Sequence, residues 1–314
     1  MTTYVLRRLV VTAPTLVVIS MVVFGILALA PGDPLSQFAS NPDVPAEVRL
    51  QIRHDFGLDQ PVPVRYVKWA AAFVRGDWGY SFASRTPVSG LILQRVPTDL
   101  SVVGAAYLVA IVLAIPIGVV AAIKQYSWFD HLATTFAFVG FSLPTFFTGV
   151  LLILIFSVHF GWLPSIYNTQ VRAPGEAVKQ AIMPIAVLAL FQTASLARYT
   201  RASVLDNVRG DYVRTARAKG LAEPAVVLRH VLRNSLIPVV TLMALQLPVV
   251  FTGAVVTEQI FRVPGIGALL ITAIQTSDTP VVMAITFVFA ILVVCFNLLA
   301  DLLYGVLDPR IKYT

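Results

Sequence analysis

Residues 100–123 read LSVVGAAYLVAIVLAIPIGVVAAI, with no charged side chain between Asp99 and Lys124. At about 1.5 Å of rise per residue, a helix of this length extends about 36 Å and can cross a hydrocarbon core of about 30 Å. Backbone groups in lipid must pair internally, and the run lacks the period-two alternation of a barrel strand. We therefore predict a transmembrane helix here.

Five further apolar runs flank this one along the chain. Hydrophobic residues make up 57% of the sequence and charged residues only 12%, against about 25% charged in an ordinary soluble domain. A soluble globule of 314 residues could not cover its surface with so few charges. The predicted fold class is an all-α polytopic membrane protein with six transmembrane helices. The other five runs are 9–30, 132–158, 180–197, 234–257 and 279–300.

The first run could alternatively be a secretory signal peptide, because Arg7 and Arg8 precede it. Its apolar stretch is longer than the core of about 7–15 residues that such signals use. We therefore favour an uncleaved membrane anchor.

Basic residues are unevenly distributed between the two sides of this arrangement. With the N-terminus inside, the inner segments hold thirteen Lys and Arg residues and the short outer loops hold three. The positive-inside rule then places both termini in the cytoplasm. This bias accounts for the net charge of +7 without a nucleic-acid partner. The predicted regions are a first helix at 1–30, an extracytoplasmic loop region at 31–98, a five-helix core at 99–306 and a cytoplasmic tail at 307–314.

The outer segment 31–98 contains one amphipathic helix by pattern. Apolar residues recur at helical spacing after Pro61 and Pro63, with several aromatic residues nearby. Such a helix suits the membrane interface. Two interpretations stay open, a helix resting on the outer headgroups and a docking surface for an external partner. The apolar positions are Val64, Val67, Ala71 and Val74.

The inner segment 198–233 holds eight basic and three acidic residues. One apolar stripe ends at Gly220, a residue that stops helices, and Pro224 lies where a new helix would begin. The segment could be a basic hairpin resting on anionic lipid or a socket for a cytoplasmic partner. The first stripe comprises Val204, Leu205, Val208, Tyr212, Val213 and Ala216, and the second Val227, Leu228, Val231 and Leu232.

Several catalytic motifs do not occur in this sequence. There is no P-loop to bind ATP, no HExxH zinc motif and no GxSxG hydrolase elbow. The apolar runs offer neutral polar side chains instead of ionisable ones, and these could pair helices or line a path for a polar solute. The candidate path residues are Ser142, Thr145, Gln192, Thr193, Ser195, Gln246, Thr252 and Asn297.

Residues 211–221, DYVRTARAKGL, resemble the EAA loop of ABC importer permeases, in the form used by the dipeptide, oligopeptide and nickel family. Arg214 and Thr215 stand at the motif's Glu and first Ala, and Arg233 stands where the general motif ends in Pro. Further blocks agree along nearly the whole chain, in the order found in the first permease of such systems. They are RRL (7–9), PGDP (31–34), GLDQP (57–61), RGDWG (75–79), SLPTF (142–146), GWLP (161–164), RHVLRN (229–234), FRVPGIG (261–267) and LDPR (307–310).

The resemblance implies a type I ABC importer permease fold in a bacterial or archaeal cytoplasmic membrane, surrounded by membrane lipid. It further implies a second, similar permease subunit, two cytoplasmic ATPases and an extracytoplasmic solute-binding protein. This chain would hold no cofactor, and ATP with Mg²⁺ would be bound by the ATPases. The segment that couples to them would comprise Arg214, Thr215, Ala216, Arg217, Ala218, Lys219 and Gly220.

The expected function is therefore import of dipeptides or oligopeptides by alternating access, with no catalytic site in this chain. The motif's glycine, Gly220, would leave room for the turn into the ATPase groove. A passive channel or a secondary carrier for small polar solutes is the alternative function, and it would need no ATPase.

Overall fold

The computed structural model describes residues 2–29, 47, 59–171 and 173–307, with backbone alone at 2–7, 9, 249–253 and 304–307. Three short π-helical segments, at 100–104, 153–159 and 227–231, interrupt or extend α-helices. The α-helices are α1 (Thr2–Leu29), α2 (Val62–Val74), α3 (Val88–Leu93), α4 (Val96–Asp99), α5 (Ala105–Ile123), α6 (Trp128–Ser142), α7 (Thr145–Leu152), α8 (Pro174–Val208), α9 (Asp211–Ala218), α10 (Glu223–Val226), α11 (Leu232–Phe261), α12 (Ile266–Gln275) and α13 (Thr279–Leu307).

The helices confirm the all-α membrane class that composition predicts. Five helical stretches in the described residues are long and apolar enough to span a bilayer, or up to seven if two bent helix pairs each count as a span. The six-helix count itself stays a prediction. Arg8 and Asp301 form an ion pair of 2.7 Å between α1 and α13, so the first helix begins where the last one ends.

Two bends interrupt the helices in or next to the predicted apolar runs. The run 132–158 divides into α6 and α7, which meet at 102°. Leu143 is extended, and Pro144 lacks the N–H that would continue the helix. Beyond the run 234–257, α11 and α12 meet at 80°, because Arg262 adopts a left-handed conformation with φ of 54°. Sequence periodicity does not show either bend.

Helix α8 lies at the centre of the bundle and packs against α5, α6 and α11. Its closest approach is to α5 at Gly118, where an added Cβ would come within 2.6 Å of the Ala197 carbonyl oxygen and of the Thr200 Cβ. Small residues let transmembrane backbones approach in this way. The buried core therefore forms around α8, with Val103, Met183 and Phe261 among its members.

The outer segment is anchored by aromatic residues. Phe73 stacks on Trp78 with ring centroids 4.9 Å apart and contacts Phe287 of α13. Val67 and Val74, members of the predicted apolar stripe of α2, are exposed. The aromatic face of α2, and not its valine stripe, therefore packs on the bundle.

Two buried carboxylates hold the turn between α11 and α12. Glu258 accepts a hydrogen bond from the backbone N–H of Ala268 (2.7 Å), and Asp99 accepts one from Ile266 (3.1 Å). A Cβ at Gly265 would overlap both carboxyl groups. Asp99 and Glu258 lie just outside the predicted apolar runs 100–123 and 234–257, so the sequence did not predict this buried pair.

Candidate functional site

A helical corner follows the C-terminal end of α8. Helix α9 begins after Gly210 and ends at Ala218, and α10 begins at Glu223 with Pro224 in its first turn. The predicted helix stop at Gly220 and restart at Pro224 are thus confirmed. The structure adds a turn at 209–210, because α8 continues unbroken from the membrane span to Val208.

The corner is anchored to the bundle by a compact apolar cluster. Val213 and Ala216 of α9 are buried against Val204 of α8 and Ala122 of α5. Val226 and Val231 complete the same cluster from the second half of the corner. The buried side chains of α9 therefore pack in one cluster with those of α5 and α8.

The backbone conformation at position 220 favours glycine. Its φ is +78°, which L-amino acids other than glycine rarely adopt. A Cβ at this position would meet no atom of this chain within 4 Å. Within the chain, glycine is therefore needed for the turn and not for space. Whether a partner's surface also requires the missing side chain stays a prediction.

An ion pair closes the corner across Gly220. Arg217 donates two hydrogen bonds to the carboxylate of Glu223, at 2.6 and 3.1 Å. Hydrogen bonding to that carboxylate raises the pKa of Arg217 above its ordinary value. Both side chains are well exposed, so the pair orients the corner more than it stabilises the fold.

Ala216 alone among the seven proposed coupling residues is buried, and it belongs to the anchoring cluster. The other six project from the corner, and together with the exposed side chain of Leu221 they form a basic surface with an apolar edge. We call this surface the coupling face. It comprises Arg214, Thr215, Arg217, Ala218, Lys219, Gly220 and Leu221.

The eight candidate path residues fall into different environments. Gln192, Thr193 and Ser195 are buried inside the chain, and Gln246 donates a hydrogen bond of 3.1 Å to Ser195. The hydrogen bond between Gln246 and Ser195 joins α11 to α8. Ser142 and Asn297 are exposed, Thr145 is half-buried, and the side chain of Thr252 lies outside the described residues. Their role in a path stays a prediction.

An ion pair that sequence reasoning missed ties α6 to α8. Arg201 donates two hydrogen bonds to Asp130, from Nε at 2.6 Å and from an Nη at 2.7 Å. Asp130 is almost fully buried, and it also accepts from the backbone N–H of Tyr126. Arg198 and Arg201 fall in the predicted inner segment 198–233, whereas the structure places both on the continuous helix α8. The described residues contain no group of His, Cys, Asp and Glu that could hold a metal ion.

Comparisons with known proteins cover nearly the whole chain. Residues 114–313 match the family model described as "Binding-protein-dependent transport system inner membrane component". Residues 1–103 match the model of the N-terminal part of the membrane component of such systems.

Similar proteins match the chain over its full length. It is 40% identical over 318 residues to an oligopeptide transport system permease protein of Bacillus subtilis. It is 38% identical over 313 residues to a glutathione transport system permease protein of Escherichia coli K12. Both matches cover 100% of each chain.

A solved amino acid ABC transporter also resembles the chain, with a TM-score of 0.47 and 16% identity, covering 67% of this chain and 94% of that one. The helical membrane fold and the EAA-like corner agree with the family that the sequence matches show. The chain therefore belongs to the family of inner membrane components of binding-protein-dependent transport systems, as a permease subunit of the dipeptide and oligopeptide type.

Proposed function

We propose that this chain is the permease subunit of an ABC importer that moves peptides across the cytoplasmic membrane by alternating access. The observation that carries this proposal is the coupling face, a protruding basic corner that a buried cluster joins rigidly to α5 and α8. A corner that only rested on lipid would not need this second anchoring in the bundle.

The corner is built to transmit movement. Val213 and Ala216 contact the end of α8, and the Asp130–Arg201 pair links α8 to α6. A partner ATPase that pushes on the coupling face would therefore shift α5, α6 and α8 together. Such a rigid-body shift is how alternating access exposes a central path first to one side and then to the other.

Peptides are the proposed substrate class, because the similar permeases serve oligopeptide and glutathione transport systems. We expect a second permease subunit, two ATPases that bind ATP and Mg²⁺, and a solute-binding protein outside the membrane. This chain supplies the path and the coupling face, and the ATPases supply the energy.

The test is peptide uptake by proteoliposomes that contain the complex purified from its native host. We expect uptake only when ATP is present with the ATPases and a peptide-loaded binding protein is present on the opposite side. Uptake by the permease chain alone, without ATP, would favour a passive channel or secondary carrier and refute the proposal.

A further inference from the structure

Arg198, one turn before Arg201 on α8, has no counter-ion among the described residues. Its side chain is exposed, and it forms no ion pair with any residue that the structure describes. The guanidinium carbon lies 5.4 Å from the ring centroid of Phe141 and 5.9 Å from that of Tyr199. Two aromatic rings therefore position a cation whose hydrogen-bond donors remain available.

The guanidinium lies at membrane depth. Helices α6 and α8 run antiparallel, since Asp130 pairs with Arg201 at one end and Phe141 stacks on Phe191 at the other. Exposed Trp128 begins α6 and is typical of the membrane interface. Phe141 lies about 20 Å further along the helix. Arg198 lies one turn before Arg201 on α8, so its guanidinium lies between the level of Asp130 and that of Phe141, inside a core of about 30 Å.

The side chain of Arg198 does not point in the direction expected for an arginine in contact with lipid. An arginine in contact with acyl chains extends its charge toward the nearer headgroups. Here the nearer interface is at the Asp130 end of α6, but the guanidinium reaches toward Phe141, in the last turn of that helix. This orientation favours a polar cavity over lipid.

The break between α6 and α7 independently argues against lipid at the same level. Non-helical backbone at membrane depth is tolerated only inside protein or along a water-filled cavity. Pro144 has no N–H, so the carbonyl of Gly140 lacks its helical donor, and Pro144 and Ser142 are exposed on the chain. The break therefore lies along a water-filled cavity or against a partner subunit, and not against lipid.

We propose that Arg198 faces the water-filled path and binds an anionic group of the transported substrate, such as the carboxylate of a peptide. The inference rests on the proposed import function and adds a substrate contact to it. A planar guanidinium positioned beside Phe141 and Tyr199 can present its fork of donors to a carboxylate and bind it through two parallel hydrogen bonds.

The first test measures water access and requires no transport. In the complex in membrane vesicles, with Cys295 (the single cysteine) replaced by Ala, we expect a charged, water-soluble thiol reagent to label Arg198→Cys and Ser142→Cys. Val18→Cys, exposed in the middle of α1, serves as the lipid-facing control and should not react. An unlabelled Arg198→Cys would overturn the proposal.

The second test measures recognition of the carboxylate. Uptake of a peptide acid is compared with uptake of its C-terminal amide, each with the binding protein saturated. We expect Arg198→Gln to slow uptake of the acid roughly tenfold or more, to leave uptake of the amide nearly unchanged, and to preserve ATPase stimulation by the loaded binding protein. Arg198→Lys should recover part of the loss, because it keeps the charge without the fork.

The matched control is Lys179→Gln, a cation on the same helix whose ion pair is with Glu176 one turn away. It should leave both substrates unaffected. Equal losses for acid and amide with Arg198→Gln, or no loss at all, would overturn the proposal. A wild-type complex that imports neither substrate would refute peptide import, while the labelling result would still decide whether Arg198 faces water.

Discussion

The ion pair between Asp130 and Arg201 offers a direct test of how α8 is tied to the bundle. Its two hydrogen bonds, 2.6 and 2.7 Å long, join a side chain that is 2% exposed to one that is 27% exposed. Removing one partner of a buried pair costs about 3–5 kcal/mol. Water can reach the guanidinium of Arg201 but not the carboxylate of Asp130. Removing the guanidinium and removing the carboxylate should therefore lower the free energy of unfolding by different amounts.

Arg201→Gln should be the more damaging change, since it leaves the buried Asp130 carboxylate without its counter-ion. We expect Arg201→Gln to lower the free energy of unfolding by about 3 kcal/mol or more. Asp130→Asn leaves a partly hydrated Arg201, and we expect it to lower the free energy of unfolding by about 2 kcal/mol. The double variant should be destabilised by less than the two single variants together. We expect its loss of unfolding free energy to be smaller than their sum by at least about 1 kcal/mol, because the two partners contact each other.

The assay is equilibrium unfolding of the purified chain in mild detergent by titration with a denaturing detergent, followed by tryptophan fluorescence. Uptake and ATPase activity of the assembled complex would be measured in parallel. As the α6–α8 link weakens, we expect less uptake for each ATP hydrolysed. Additive costs in the double variant, or a larger cost for Asp130→Asn than for Arg201→Gln, would refute the argument from burial.

Three further predictions concern turns. Gly220→Val should lower coupled uptake strongly, and Gly220→Asn should retain most of it, because Asn tolerates the positive φ of +78°; equal loss in both would mean that a partner excludes any side chain there. Gly265→Ala should destabilise the chain by about 1–3 kcal/mol, since its Cβ would overlap the carboxyl groups of Glu258 and Asp99; an unchanged unfolding midpoint would contradict that clash. Asp278→Ala should speed protease cleavage within 79–87, because its carboxylate accepts hydrogen bonds from the Ser81 hydroxyl and from the backbone of residues 82 and 83; an unchanged cleavage rate would show that this carboxylate does not hold the loop.

Local chemistry made the corner at α9 and α10 predictable from the sequence. A glycine after an amphipathic stripe and a proline four residues later, at the second position of α10, act on the backbone where they stand. The buried stripe of Val204, Val213 and Ala216 follows from helical spacing for the same reason. The turn at 209–210 escaped prediction because the stripe continues in phase across it.

Prolines show why the bend between α6 and α7 was not predictable. Pro116 and Pro184 also interrupt apolar runs, yet both lie inside continuous helices. At Pro144 the preceding Leu143 is extended and the helix stops. Neighbouring helices can satisfy the carbonyl that a proline frees or leave it to water, and a single sequence does not record which neighbours are present.

Charged pairs between distant positions were likewise out of reach. Asp130 and Arg201 are 71 residues apart, and each lies near the end of an apolar run, where a charge is expected for topology alone. The same ambiguity concealed Arg198. Its importance emerges only from the antiparallel register of α6 and α8, which places its guanidinium beside Phe141.

The uninterrupted course of α8 links the two proposed roles of this chain. Its C-terminal end at Val208 packs beside the coupling face, and Arg198 lies ten residues earlier on the same helix with no break between them. Helix α6 is tied to α8 through the Asp130–Arg201 pair, and beyond the bend its continuation α7 packs against both α8 and α11. A push on the coupling face should therefore displace Arg198 together with α8. We expect that displacement to change how the guanidinium meets its anion as the path opens, which would connect ATPase movement to release of the substrate.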